Sequence, residues 1–362
     1  MSGVSRLAGR LGAGLLLAAC LAAGAAFTGP GAGARRAAAP TLAQLVGQRL
    51  VVSMAGTMPD SSLLARVRAG QLGGVILFGV NVRSPSQVLA LTDSLRAAAR
   101  AGGQPAPLVA VDQEGGSKRR LAWAPPLLPA MRLGQLGVAA VRAQGRATAR
   151  ALRAAGIDVD LAPVADVPNG PDSFIGAQGR AFSSDPATAA ALTTAFAQGL
   201  AEGGVAATAK HFPGLGRAAT TTDSRVVTIP ATRAQLSSDL VPFRSLIAGG
   251  VPLVMLSNAS YSAYGPKPAA LSDAMQALLR GELHFEGVTI SDALEAASAR
   301  RGRSVESTAV LAAEAGTDLL LFTGDESETA AVYERLLQRA RDGTIPRRSL
   351  ERSYARILAL KG

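Results

Sequence analysis

The chain has 362 residues, 48% hydrophobic and 17% charged, enough for a sizeable core in one large domain or two ordinary ones. Its single cysteine excludes an internal disulfide framework and a cysteine-based zinc site, and its two histidines, His211 and His284, exclude a histidine-rich metal site. The formal net charge is +11, but residues 1–39 carry Arg6, Arg10, Arg35 and Arg36 and no acid, so 33 basic and 26 acidic residues leave +7 beyond them.

Residues 1–10 are short and basic, residues 11–26 are apolar, and Thr28-Gly29-Pro30-Gly31 breaks the run. This is the pattern of an export leader, shorter than the roughly 20 residues a membrane span needs. Leu17-Ala18-Ala19-Cys20 resembles a bacterial lipobox, in which the cysteine becomes the lipidated first residue, and the only cysteine of the chain sits there. Residues 1–39 are therefore expected to be leader and tether, with Cys20 as the lipidation site. The mature protein is expected to be exported, either held at the cell envelope or secreted. A plain signal peptide cut near residues 32–34 is the alternative.

From Thr41 onward, apolar runs alternate with amphipathic stretches. Strands are predicted over 49–53, 74–78, 108–112, 159–164, 206–211, 253–258, 288–292 and 318–322. Their unbroken apolar character suits parallel strands buried on both faces. Helices are predicted over 86–101, 136–155, 186–203, 233–248 and 273–283, with two more over 327–342 and 348–360. Ser84-Pro85, Asp185-Pro186, Thr232 and Ser272 supply start signals. Eight β/α units in about 320 residues fit a single-domain α/β fold, a (β/α)8 TIM barrel over residues 40–362. A doubly wound sheet is the alternative, but no Gly-x-Gly-x-x-Gly follows the first strand. Dense basic runs with interleaved aromatics are missing, so no nucleic-acid partner is expected.

Asp112, the Lys210–His211 pair, Asn258 and Asp292 each close a predicted strand. In a barrel these ends converge on one mouth, where the active site lies. Four such polar ends are hard to explain as core, because burying unpartnered charge is costly. Asp185 and Asp325, beside helix starts, read instead as caps.

Lys210-His211-Phe212-Pro213-Gly214 resembles the motif of glycoside hydrolase family 3, in its β-N-acetylhexosaminidase branch. Four further segments agree in order and spacing: residues 73–86; Val111-Asp112-Gln113-Glu114-Gly115-Gly116 with Arg120; Gly179-Arg180-Ala181-Phe182-Ser183-Ser184-Asp185-Pro186; and residues 287–292. The resemblance covers roughly residues 42–361. It implies a single barrel, no metal or other cofactor, a monomer, and hydrolysis of terminal β-linked N-acetylglucosamine from cell-wall-type glycans.

It further implies Asp292 as the nucleophile, under the two-carboxylate chemistry of a retaining glycosidase. Asp112, Arg120, Arg180, Lys210 and His211 would bind the sugar, and His284 would be structural. The chain departs from the branch pattern in the loop after strand five. That loop normally ends in Asp-Ser-His, whose histidine is the acid/base. Here it is about two residues longer and ends Asp223-Ser224-Arg225. Arginine cannot release a proton near neutral pH, so Asp223 becomes the candidate acid/base. Asn258 also stands where many relatives have histidine, and Ser117 and Ala293 replace an arginine and an aspartate. A carbohydrate-binding barrel with weak or no turnover is the alternative function. A barrel aldolase fits less well, because Lys210 sits in a sugar-binding motif.

Overall fold

The computed structural model describes residues 39–362; the leader, the lipobox and Cys20 lie outside them. Eight parallel strands form the sheet: β1 Leu50–Val52, β2 Gly74–Leu77, β3 Leu108–Val111, β4 Val159–Asp160, β5 Ala206–Phe212, β6 Leu253–Leu256, β7 Val288–Ser291 and β8 Leu320–Phe322. Their order is β7-β6-β5-β4-β3-β2-β1-β8. The sheet closes between β7 and β8, where Leu319 N donates to Thr289 O (2.8 Å) and Ser291 N to Leu319 O (3.0 Å). Each strand is followed by helix, which makes the fold the expected TIM barrel.

Alternation along the strands sorts the core into two sets. Val51, Ile76, Ala110, Leu161, Met255 and Ile290 fill the barrel interior, and the intervening residues pack under the outer helices. Ile357 and Leu360 of the C-terminal helix Arg347–Lys361 join the interior set. That helix is tied down by Asp318, fully buried, whose carboxylate accepts from Ser353 Oγ (2.7 Å), Arg356 (3.1 Å), Arg280 (2.7 Å) and Thr289 N (2.9 Å).

Two elements differ from expectation. Strand β4 pairs regularly over only two residues, because Pro163 has no N–H to give the ladder. Pairing resumes where Val164 bridges Lys210. The predicted helix 233–248 is two helices, Arg233–Asp239 and Val241–Ala248, with Pro242 in the first turn of the second. Helix starts carry side-chain caps at Ser84, Asp185, Thr232 and Ser272. Among the described residues no helix is long and apolar enough to cross a membrane.

Candidate active site

The C-terminal ends of the strands open on a cavity of about 200 Å³, lined by Asp112, Glu114, Arg120, Arg180, Lys210, His211, Asp223 and Asp292. All seven site residues named from sequence within the described chain therefore share one cavity. Asp112 follows β3 and Asp292 follows β7, each one residue beyond the regular ladder, whereas Lys210 and His211 lie inside β5.

Lys210 is 2% exposed and organises the floor. Its Nζ donates to Asp112 Oδ1 (2.8 Å) and lies 2.7 Å from Glu114 Oε1. Arg180 grips Glu114 through two bonds of 2.8 Å each. Arg120 donates to Asp112 Oδ2 (3.0 Å) and stacks over the Phe78 ring, 5.2 Å from its centroid. Burial works to raise both carboxyls, but the facing cations more than offset it. Asp112 is held well below the usual carboxylate range by Lys210 and Arg120, and Glu114 falls to about 2 under Lys210 and Arg180. For Lys210, burial pulls the ammonium down, and the two carboxylates overcome it and raise it. The floor is thus fully ionised at neutral pH. Two of the three Lys210 protons are committed to carboxylates, which leaves one for a ligand.

His211 is held by a residue that sequence reasoning missed. Asp166, 1% exposed, accepts from His211 N (3.0 Å), meets His211 Nδ1 at 2.7 Å and accepts from Leu215 N (2.7 Å). One carboxylate thus fixes the ring and the start of the loop after β5. Glu114 was also missed as a site residue, although it stands inside a quoted motif. The signal that could have found both was an acid one or two turns of chain beyond a strand end.

The loop after β5 is pinned along its length. Gly216 has no room for a side chain, since a Cβ there would lie 1.9 Å from Val167 O, and its own carbonyl accepts from Asn169 N (2.9 Å). Arg217 pairs with Asp239 (2.6 Å). At the far end Ala297 N donates to Asp223 O (2.8 Å) and Ser298 N to Thr222 O (3.1 Å). Asp223 is exposed at the rim and Arg225 lies exposed beyond it. Leu215, in the same loop, is buried against the cavity.

Asp292 is partly buried, and its Oδ1 accepts from Ala293 N (2.8 Å). Burial raises its carboxyl above the ordinary value; His211 opposes this and the negative charge of Asp223 adds to it. Asn258 is fully buried and donates to Ala293 O (2.6 Å), bracing the segment that carries Asp292. On β4, between Val159 and Leu161, Asp160 is fully buried, accepts from Gln113 N (3.0 Å), and has a second oxygen with no partner. Burial pushes its carboxyl up to about 8. His284 is exposed in the turn before β7, at the opposite end of the barrel. Among the described residues no three His, Cys, Asp or Glu side chains are grouped to hold a metal.

Comparison with known proteins agrees with this geometry. Residues 41–360 match the Glycosyl hydrolase family 3 N terminal domain. An uncharacterized secreted glycosyl hydrolase of Arthroderma benhamiae is 34% identical over 335 residues, covering 88% of this chain and 93% of the relative. A beta-hexosaminidase of Methylococcus capsulatus is 36% identical over 277 residues, covering 74% and 80%. The solved family 3 beta-N-acetylglucosaminidase of a Paenibacillus species superposes with a TM-score of 0.86 at 34% identity, over 89% of this chain and 62% of that longer one. The chain is a glycosidase and belongs to glycosyl hydrolase family 3.

Proposed function

We propose that the protein is an exported, retaining β-N-acetylhexosaminidase that removes terminal β-linked N-acetylglucosamine from cell-wall-type oligosaccharides. Residues 1–39 serve as leader and tether, with Cys20 as the anchor point, and residues 40–362 form the catalytic barrel. The observation that carries the reading is that Asp292 and Asp223 line one cavity above a sugar-sized floor of fixed charges. The secreted relative supports export, and the hexosaminidase and acetylglucosaminidase names support the sugar.

In this reading Asp292 attacks the anomeric carbon as the bond to the leaving oxygen breaks, and Asp223 gives that oxygen its proton. The sugar is then an ester of Asp292. Asp223, now a carboxylate, takes a proton from water, which attacks the anomeric carbon as its bond to Asp292 breaks and releases the Asp292 carboxylate. Asp112 and Glu114 accept from sugar hydroxyls, while Lys210, Arg120, Arg180 and His211 Nε2 face them as polar partners. With arginine at 225, the only proton donor in this reading is one exposed carboxyl, and leaving groups that need little protonation are the better substrates.

A paired assay tests this, with a phenolic and a natural-sugar leaving group on the same β-N-acetylglucosaminide. Asp223→Asn should lose activity chiefly on the natural leaving group. Equal losses on both would remove Asp223 as the acid. A wild type inert on both substrates that still binds the sugar would leave the carbohydrate-binding reading.

A further inference from the structure

Six of the ten exposed large hydrophobic side chains among the described residues fall within sixteen positions: Trp123, Leu127, Leu128, Met131, Leu136 and Val138. The stretch is firmly placed. Gln113 Nε2 donates to the carbonyls of Leu121, Ala124 and Pro125, each at 3.1 Å. Leu121, Ala124, Ala130 and Leu133 are buried beneath it. Pro129 packs so closely on Gly116 that a Cβ there would lie 2.9 Å away. The outward residues are therefore displayed by a packed underside, with Leu127 65% and Leu136 59% exposed.

The charge around this surface has one sign. Residues 115–157 contain eight Lys and Arg and no acid. Arg120, Arg142, Arg146 and Arg153 pair with acids from elsewhere in the chain. Lys118, Arg119, Arg132 and Arg150 enter no ion pair among the described residues. Exposed apolar side chains with a Trp, flanked by unpaired cations, have the chemistry of a membrane-interface surface. A second copy of the chain fits poorly, because a two-fold contact would bring the same cations face to face. A purely anionic polymer would use the charge and leave the apolar residues wet.

We infer that this surface docks on an anionic lipid bilayer, with Trp123, Leu127 and Leu128 entering the headgroup region and Arg119 and Arg132 meeting the lipid charge. Lys118, the neighbour of Arg119, lines the catalytic cavity, so docking sets the mouth beside the bilayer.

Trp123 is the only tryptophan of the chain, so its emission reports on docking directly. The test uses residues 39–362, which contain the closed eight-stranded barrel, with phosphatidylcholine vesicles lacking or containing about one-third phosphatidylglycerol. Emission should shift to the blue and be quenched by brominated acyl chains on the anionic vesicles. Sedimentation with them should fall by about tenfold in a Trp123→Ser, Leu127→Ser, Leu128→Ser variant. The Arg119→Glu, Arg132→Glu pair should abolish the preference for the anionic lipid, and it carries the test if the triple variant loses its melting transition. Aryl-glycoside hydrolysis should be unchanged in the triple variant. Unaltered emission and a wild type left in the supernatant would overturn the inference. So would light scattering showing a dimer that the triple variant abolishes, which would assign the surface to a second copy.

Discussion

Asp166 Oδ2 lies 2.7 Å from His211 Nδ1, and the same carboxylate also holds the His211 and Leu215 backbone N–H groups. This fixes the position of the histidine that lines the cavity. His284 lies at the other end of the barrel, so His211 is the one histidine that lines it. The proposed mechanism gives the acid/base role to Asp223, an exposed carboxyl of the loop after β5 that lines the same cavity as Asp292.

Removing the Asp166 carboxylate should misorient His211 and loosen the loop together. In Asp166→Asn we expect kcat/KM to fall by roughly 10- to 100-fold, by analogy with the loss of the carboxylate that orients a metal-bound histidine. Steady-state kinetics on an aryl glycoside measure this. A change below twofold would mean that the dyad serves stability alone.

Glu114 is a buried partner shared by Lys210 and Arg180. Glu114→Gln leaves both cations under-compensated and should cost about 3 kcal/mol in denaturant unfolding. The folded carboxyl is depressed to about 2 from an ordinary 4.5. Its contribution is thus complete above about pH 4.5 and is lost as pH falls toward 2. The gap between wild type and Glu114→Gln should close over that window. A gap that stays constant with pH would show that the ion pairs are not its source.

Asp160 has the opposite sign. Its folded carboxyl is raised to about 8 from an ordinary 3.8, so the folded state holds the extra proton between those values. The stability is complete below about pH 4 and is lost as pH rises through 8, by at most roughly 6 kcal/mol. Asp160→Asn keeps the acceptor for Gln113 N and removes the ionisation. Its melting temperature should overtake that of the wild type as pH rises, and parallel curves would contradict the assignment.

Asp292 must be ionised to attack, and burial together with the charge of Asp223 raises its carboxyl. The acid limb of kcat/KM should therefore lie above that of an ordinary aspartate. It should move to lower pH in Asp223→Asn, where the repelling charge is gone. A limb that stays in place would mean that another group titrates there.

Much of this arrangement can be read from sequence because it is local. The eight strands announce themselves as solid apolar runs, and polar residues such as Asp112, Lys210 and Asp292 mark where those runs reach the mouth. Asp160 does not stand out, because an acid within a buried strand looks the same whether it is paired or neutral. Asp166 and Glu114 matter only through partners 45 to 96 positions away, as in the contacts of Asp166 with His211 and of Glu114 with Lys210. Such partners become visible once the barrel brings β3, β4 and β5 side by side. The split at Pro242 was written in the chain as a proline, yet the apolar period ran through it and masked the break.

The central claim is that a glycosyl ester forms on Asp292. The direct measurement is peptide mass spectrometry after brief incubation with a fluorinated N-acetylglucosaminide that glycosylates the enzyme quickly and leaves it slowly. The account predicts one added sugar on the peptide that carries Asp292, and none in Asp292→Asn. A sugar found on another carboxylate, or an adduct that persists in Asp292→Asn, would contradict it.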